Sequence, residues 1–210
     1  MSTKRAEPTL DRRQQILEAA MSCFAKSGFH QTSMHDISAE AGISVGLIYR
    51  YFTNKEEVIA ALADEHKKTI AELLERASEA PTLLEAMEIL FTSHCGEKSP
   101  QIIAAFVVDL FAEASRNPQV AKVVRSVAKA KTDGVAELIA RSPEARLMPP
   151  GLDPHEVAEM IFAVNDGTMM RSVFSSASVS FSRQRERQLS VARNLWRLLF
   201  TRTTHANGHQ

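Results

Sequence analysis

Apolar residues along the chain recur at helical spacing, and no segment alternates convincingly as a strand would. Ile16, Ala19, Ala20, Cys23 and Phe24 stand at i, i+3, i+4, i+7 and i+8, which is one face of a helix. Gly28 predicts the end of that helix, since glycine readily takes the left-handed conformation. Ser33 with Asp36 is a start signal for a short second helix reaching about Ala41. Gly42 breaks it, and Ser44 can cap a third helix running through Tyr49 and Arg50. Asn54 with Glu57 opens a fourth, with Ile59, Leu62, His66, Ile70, Leu73 and Ala77 on one stripe before Pro81.

From about residue 82 the helices become longer and more apolar. Leu83, Met87, Leu90 and His94 share a stripe, and Gly96 to Pro100 reads as a loop. QIIAAFVVDLFAEAS is apolar nearly all round, so that helix is expected at the centre of its domain. Asn117-Pro118 ends it, and another helix runs to about Arg141. The proline-rich SPEARLMPPGLD is a loop. Asp153, Pro154 and Glu156 then supply an N-cap, a first-turn proline and an N3 acid for a helix to about Ser175. A last helix is expected over about 182–203. The expectation is an all-α protein of about nine helices. A helix-turn-helix domain over 10–70, with the motif itself at about 33–52, precedes a second helical domain over 82–203. Residues 1–8 and 204–210 read as disordered.

Composition alters this picture little. The 210 residues carry 25 basic and 25 acidic side chains. Zero net charge argues against a general nucleic-acid coat. Residues 1–55 hold seven Lys/Arg against five acids, an excess of only two. Any DNA contact must therefore come from the placement of particular residues. No stretch approaches the roughly 20 apolar residues that cross a bilayer, and no secretory leader is visible. With two cysteines, Cys23 and Cys95, a reduced, cytoplasmic protein is expected.

The informative stretch is SGFHQTSMHDISAEAGISVGLIYRYFTNKEEVIAAL, residues 27–62. Two short helices joined by a glycine-containing turn, the second capped by serine, form a helix-turn-helix. A recognition helix must be short enough to enter the major groove with its N-terminal end towards the bases. Ser44, Val45, Gly46 and Leu47 give a first turn of small or apolar side chains. Tyr49 and Arg50 then offer a hydroxyl and a guanidinium to phosphate or guanine. Backbone N–H groups near Thr32, Ser33 and Lys55 suit phosphate oxygens.

At these residues the sequence resembles the DNA-binding domain of the tetracycline-repressor (TetR) family. The matching pattern is G-F-x-x-T-S-M-x-D-I-S-x-E-A-G-I-S-V-G-L-I-Y-R-Y-F-x-N-K-E-E from Gly28 to Glu57. The resemblance implies Thr32, Ser33, Tyr49 and Lys55 as phosphate contacts, and Ser44, Val45, Gly46, Leu47 and Arg50 at the groove. Phe24, Ile37, Ala41, Ile48, Tyr51 and Phe52 would mostly pack. FVVDLFAEASRNP and AVNDGTMMRS are similar, more loosely, to the family's ligand-binding domains. The implied protein is a homodimer that binds double-stranded operator DNA and responds to a small-molecule effector, with no cofactor, no metal and no membrane partner. Such a family pairs its last two helices with those of a second subunit, which implies Ile161, Val164, Thr168, Leu195, Trp196 and Leu199 at the dimer interface.

Other readings compete at single residues. Gly42 to Gly46 also fits G-x-S-x-G, but a nucleophile elbow needs a strand before the serine, and here a helix precedes it. His94 and Cys95 are adjacent, so they point about 100° apart on a helix and have no second ligand pair. Asp109 lies mid-helix in line with Phe106 and Glu113, where a buried carboxylate needs a partner. It is either a structural acid, the preferred reading, or a pocket carboxylate for a cationic ligand. Met87, Phe91, His94, Phe106, Asp109, Asn165 and Met169 are the candidate pocket residues. An activator on the same scaffold, a ligand-free structural DNA-binding protein and a helical enzyme are the alternatives to a repressor. No polar catalytic constellation favours the enzyme.

Overall fold

The computed structural model describes residues 9–92, 100–174 and 181–200. Among them are nine α-helices, one short 3-10 helix and no strand. The helices are α1 (Thr9–Gln31), α2 (Met34–Glu40), α3 (Val45–Ile48), α4 (Lys55–Ser78), α5 (Leu83–Thr92), α6 (Pro100–Ala114), α7 (Pro118–Arg141), α8 (Pro154–Ser172) and α9 (Phe181–Phe200). No helix among the described residues is long and apolar enough to cross a membrane. The loop expected between α7 and α8 contains a 3-10 helix, Pro143–Leu147, opened by the proline at its first position.

The chain forms two compact units that cut across the sequence division. The first joins residues up to Lys68 with Gln101–Ala128; the second joins Thr69–Pro100 with the chain from Lys129 onward. Both α4 and α7 run from one unit into the other. The apolar α6 therefore belongs with the N-terminal helices. The reason is the first core, in which Ile16, Leu17, Ala20, Phe24, Ile37, Ile48, Val58 and Ile59 are almost wholly buried and Val120 of α7 joins them. Phe106 and Leu110 of α6 and Val123 and Val124 of α7 pack on its flank. Phe106 stacks on Phe24 with ring centroids 6.3 Å apart.

The second unit has its own core of Leu73, Leu83, Met87, Leu90, Val135, Ile139, Val157, Ile161, Trp196 and Leu199. Phe91 bridges Trp196 (5.3 Å) and Phe162 (5.8 Å). Arg193 of α9 meets Glu88 of α5 at 2.8 Å. The start of α8 is the capping box expected of Asp153 and Glu156: each side chain accepts the other's backbone N–H at 2.9 Å. Burial corrects part of the expected dimer surface. Ile161 (1% exposed), Trp196 (1%) and Leu199 (5%) are core residues of their own chain. Val164, Thr168 and Leu195 are half-buried.

Candidate nucleic-acid interface

The reading head is built on local hydrogen bonds that the sequence anticipates. Ser33 caps α2: its Oγ accepts from Asp36 N (3.1 Å), while Ser33 N donates to Asp36 Oδ2 (2.8 Å). The chain then turns at Gly42, whose φ of +65° is the left-handed region that favours glycine. Ile43 N closes this turn on Ser38 O at 3.0 Å. Ser44 caps α3 by accepting from Leu47 N at 3.3 Å. The G-x-S-x-G coincidence thus lies in a helix-turn-helix, its serine spent on a cap. Only Ile48 of α3 is fully buried, and it holds the helix to α1 and α2.

Anchoring through Ile48 leaves Ser44, Gly46, Tyr49 and Arg50 exposed, with Val45 and Leu47 half-buried. Tyr49 is 51% exposed. Neither the Tyr49 hydroxyl nor the Arg50 guanidinium is engaged by hydrogen bond or ion pair among the described residues. Beside them lies a cleft of about 380 Å³ lined by His30, Gln31, Thr32, Ser33, Met34, Tyr49, Thr53, Asn54, Lys55 and Glu56. So four of the nine expected DNA contacts, Thr32, Ser33, Tyr49 and Lys55, come together at one concave site. His30, Gln31, Thr53 and Asn54 were not singled out from sequence. Their signal was present: they flank the caps of α2 and α4, where free N–H groups gather.

Three of these side chains are partly committed to the fold. Thr32 is 2% exposed, and its hydroxyl donates to Gly28 O (2.7 Å) and Cys23 O (3.2 Å). Lys55 Nζ donates to Phe29 O (2.7 Å) and His30 O (3.2 Å) and sits 4.7 Å from the Phe29 ring centre. An ammonium has three N–H donors, so one is left for an anion. Ser33 Oγ also donates to Asp36 Oδ2 at 2.7 Å.

The hydroxyl and then the backbone N–H of Ser33 hold Asp36 below the usual carboxylate range. A carboxylate depressed by folding stabilises the cap above its ordinary range, and this is lost as pH falls through the lowered value. The Ser33 amide resonance is therefore expected to show an acid-side step that Asp36→Asn removes. A step that survives in Asp36→Asn would mean that another group holds the cap.

The expected effector-pocket residues fall in both units. Phe106 and Asp109 belong to the first unit, where Phe106 stacks on Phe24 and Asp109 Oδ2 accepts from Phe29 N at 2.5 Å. Asp109 thus has a backbone partner within the first unit. Met87 is fully buried core, and Phe91, Asn165 and Met169 are half-buried in the second unit. His94 lies outside the described residues. Near Asn165 the structure shows a group the sequence did not offer: Lys131 Nζ lies 5.6 Å from the centre of the Phe162 ring. Burial lowers the Lys131 ammonium from its ordinary value, against the pull of Asp166. Burial likewise raises Asp166, opposed by Lys131 and by a hydrogen bond from Asn165.

Comparison with known proteins decides what this geometry belongs to. Residues 16–62 match the family of bacterial regulatory proteins named for tetR, and residues 97–197 match the C-terminal part of BetI-type transcriptional repressors. The chain belongs to the TetR family. It is a DNA-binding transcriptional regulator. Its TetR-type relatives include the E. coli K12 regulator UidR, 27% identical over 168 residues, which are 78% of this chain and 81% of UidR. The fatty acid metabolism regulator protein of Bacillus subtilis is 26% identical over 156 residues, 74% of this chain and 80% of its own. The structure of the B. subtilis regulator FadR with stearoyl-CoA superposes with a TM-score of 0.66 at 22% identity, covering 85% of this chain and 96% of that one.

Proposed function

We propose that the protein is a cytoplasmic homodimeric repressor, regulatory and not catalytic, that leaves a palindromic operator when a small molecule binds its second unit. The observation that carries this reading is the Ser44-capped α3, with Tyr49 and Arg50 unengaged beside the cleft of Thr32, Ser33 and Lys55. Repression is supported by the match of residues 97–197 to BetI-type transcriptional repressors. An effector is supported by the stearoyl-CoA complex of the similar FadR fold and by the apolar cluster of Phe91, Phe162 and Trp196 beside Lys131 and Asp166.

The dimer reading rests on outward apolar positions of α8 and α9. Met160 (42% exposed) and Val164 stand four residues apart, followed by Gly167, beside which no atom lies within 4 Å of an added Cβ. On α9 Val191 (37%) and Leu198 (78%) stand seven residues apart on one face, with Leu195 between them half-buried against the second core. Two recognition helices related by a twofold must match successive major grooves about 34 Å apart. A ligand that prefers the mis-spaced conformation shifts the population and releases DNA.

The test is a gel-shift titration with a duplex selected by the protein from a randomised pool, paired with a promoter reporter carrying that site. Salt-sensitive binding to a palindrome and reporter repression are expected. Activation of the reporter would overturn the repressor reading while leaving the DNA reading intact. Arg50→Ala should weaken the selected duplex by about 1–3 kcal/mol and relax preference at one position, whereas Tyr49→Phe should weaken all duplexes alike. Arg50→Ala binding as tightly as wild type would remove Arg50 from the groove.

A further inference from the structure

We infer that Asp109 is a positioning residue for DNA binding: reaching from α6, its carboxylate fixes the Gly28–Phe29 corner that sets Lys55 and the residues His30–Ser33 around the cleft. The corner is a break inside α1. Gly28 has φ 79° and ψ 160°, outside helical geometry, so the following N–H is turned away from its acceptor four residues back. Phe29 is 2% exposed, so water does not substitute. A buried N–H without an acceptor is costly, and Asp109 Oδ2 supplies one at 2.5 Å from 80 residues further along the chain. A carboxylate oxygen is a stronger acceptor for an N–H than a neutral carbonyl.

The glycine and the acid fit one another. A Cβ at Gly28 would stand 3.1 Å from Asp109 Oδ1 and 3.3 Å from its Cγ. Only a residue without a side chain both takes this φ and leaves room for the carboxylate.

Other groups of the same corner hold the cleft. Gly28 O accepts from Thr32 Oγ1 (2.7 Å) and Thr32 N (3.3 Å). Phe29 O and His30 O accept from Lys55 Nζ, whose third donor is left for phosphate. Three consecutive residues are thus tied to α6, to α4 and to Thr32, which precedes the Ser33 cap of α2. Asp109 does not line the cleft, so it acts on DNA through Phe29. This backbone duty gives an acidic side chain a place in the unit that carries the cleft.

The inference rests on reading the cleft as the phosphate site. Its test uses the full chain and the duplex selected by the wild-type protein. Asp109→Ala is expected to bind that duplex about tenfold more weakly. Asp109→Asn, whose amide oxygen can still accept, should recover to within about twofold of wild type. The Phe29 amide proton should resonate downfield in wild type and in Asp109→Asn, and move upfield in Asp109→Ala. Val123→Ala thins the same core from α7 without reaching the corner and should change neither readout. Wild-type binding by Asp109→Ala, no recovery with Asn, or an equal loss in Val123→Ala would each overturn the inference. If Asp109→Ala does not fold, the other spectra decide: a Phe29 amide proton without a downfield shift in wild type overturns it. A wild-type protein that selects no duplex would instead overturn the reading of the cleft, and this inference with it.

Discussion

Leu198→Glu is expected to give a folded monomer that binds a palindromic duplex about 10²–10⁴-fold more weakly than the wild-type protein. Leu198 is 78% exposed in the isolated chain, so the substitution removes little of the protein's own core. Its neighbour Leu199 is 5% exposed and packs with Trp196 and Ile161, so Leu199→Glu should instead unfold the second unit. The large effect of Leu198→Glu on binding comes from linkage. Once one half-site is bound, the second recognition helix of a dimer meets its half-site at a high effective concentration, and a monomer loses that advantage. Light scattering gives the mass, circular dichroism the fold, and gel shift the affinity. A Leu198→Glu protein that remains dimeric would move the interface away from the outward stripe of α9.

Ile48→Ala is expected to cost about 2–5 kcal/mol of local stability and to abolish specific binding. The sizes of the elements make this anchor decisive. With four and seven residues, α3 and α2 are far too short to persist without packing. Ile48 is the one buried residue that α3 contributes to the core with Phe24, Ile37 and Phe52. Truncation leaves a cavity beneath the recognition helix while the second unit's core is untouched. Hydrogen exchange should accelerate across α2 and α3 and remain slow in α8. Unchanged exchange at Val45–Ile48 would show that the helix is held by something other than this anchor.

What the sequence made legible was local. The capping boxes of Ser33 with Asp36 and Asp153 with Glu156, the Ser44 cap and the turn at Gly42 depend on residues three or four apart. Such bonds form almost wherever the segment is placed. Helix starts followed for the same reason, while ends were less legible: α3 stops at Ile48, short of Tyr49 and Arg50, and α1 is resumed past Gly28 to Gln31.

Faces and partners were harder. Leu198 and Leu199 are chemically identical, and only packing makes one core and the other surface. The helix containing Phe106 is apolar nearly all round, so its pattern could not show that it belongs with the N-terminal helices. The division into units was hidden because α4 and α7 pass through it without a glycine or proline at the crossing. Asp109 signalled a need for a partner, but that partner is a backbone N–H exposed only by the break at Gly28. Thr32 pointed to phosphate by its place in the pattern, yet its hydroxyl is turned into the end of α1. Lys131 gave no sign at all, because a lysine two positions from Lys129 and Asp133 on a charged helix reads as solvated until burial is known.

The central claim, that α3 and the adjoining cleft meet DNA, is tested most directly by mapping amide resonances during titration with a selected duplex. The account predicts the largest changes at His30–Ser33, Ser44–Arg50 and Thr53–Lys55, diminishing as salt is raised. Changes concentrated in the second unit, with these three segments silent, would contradict it.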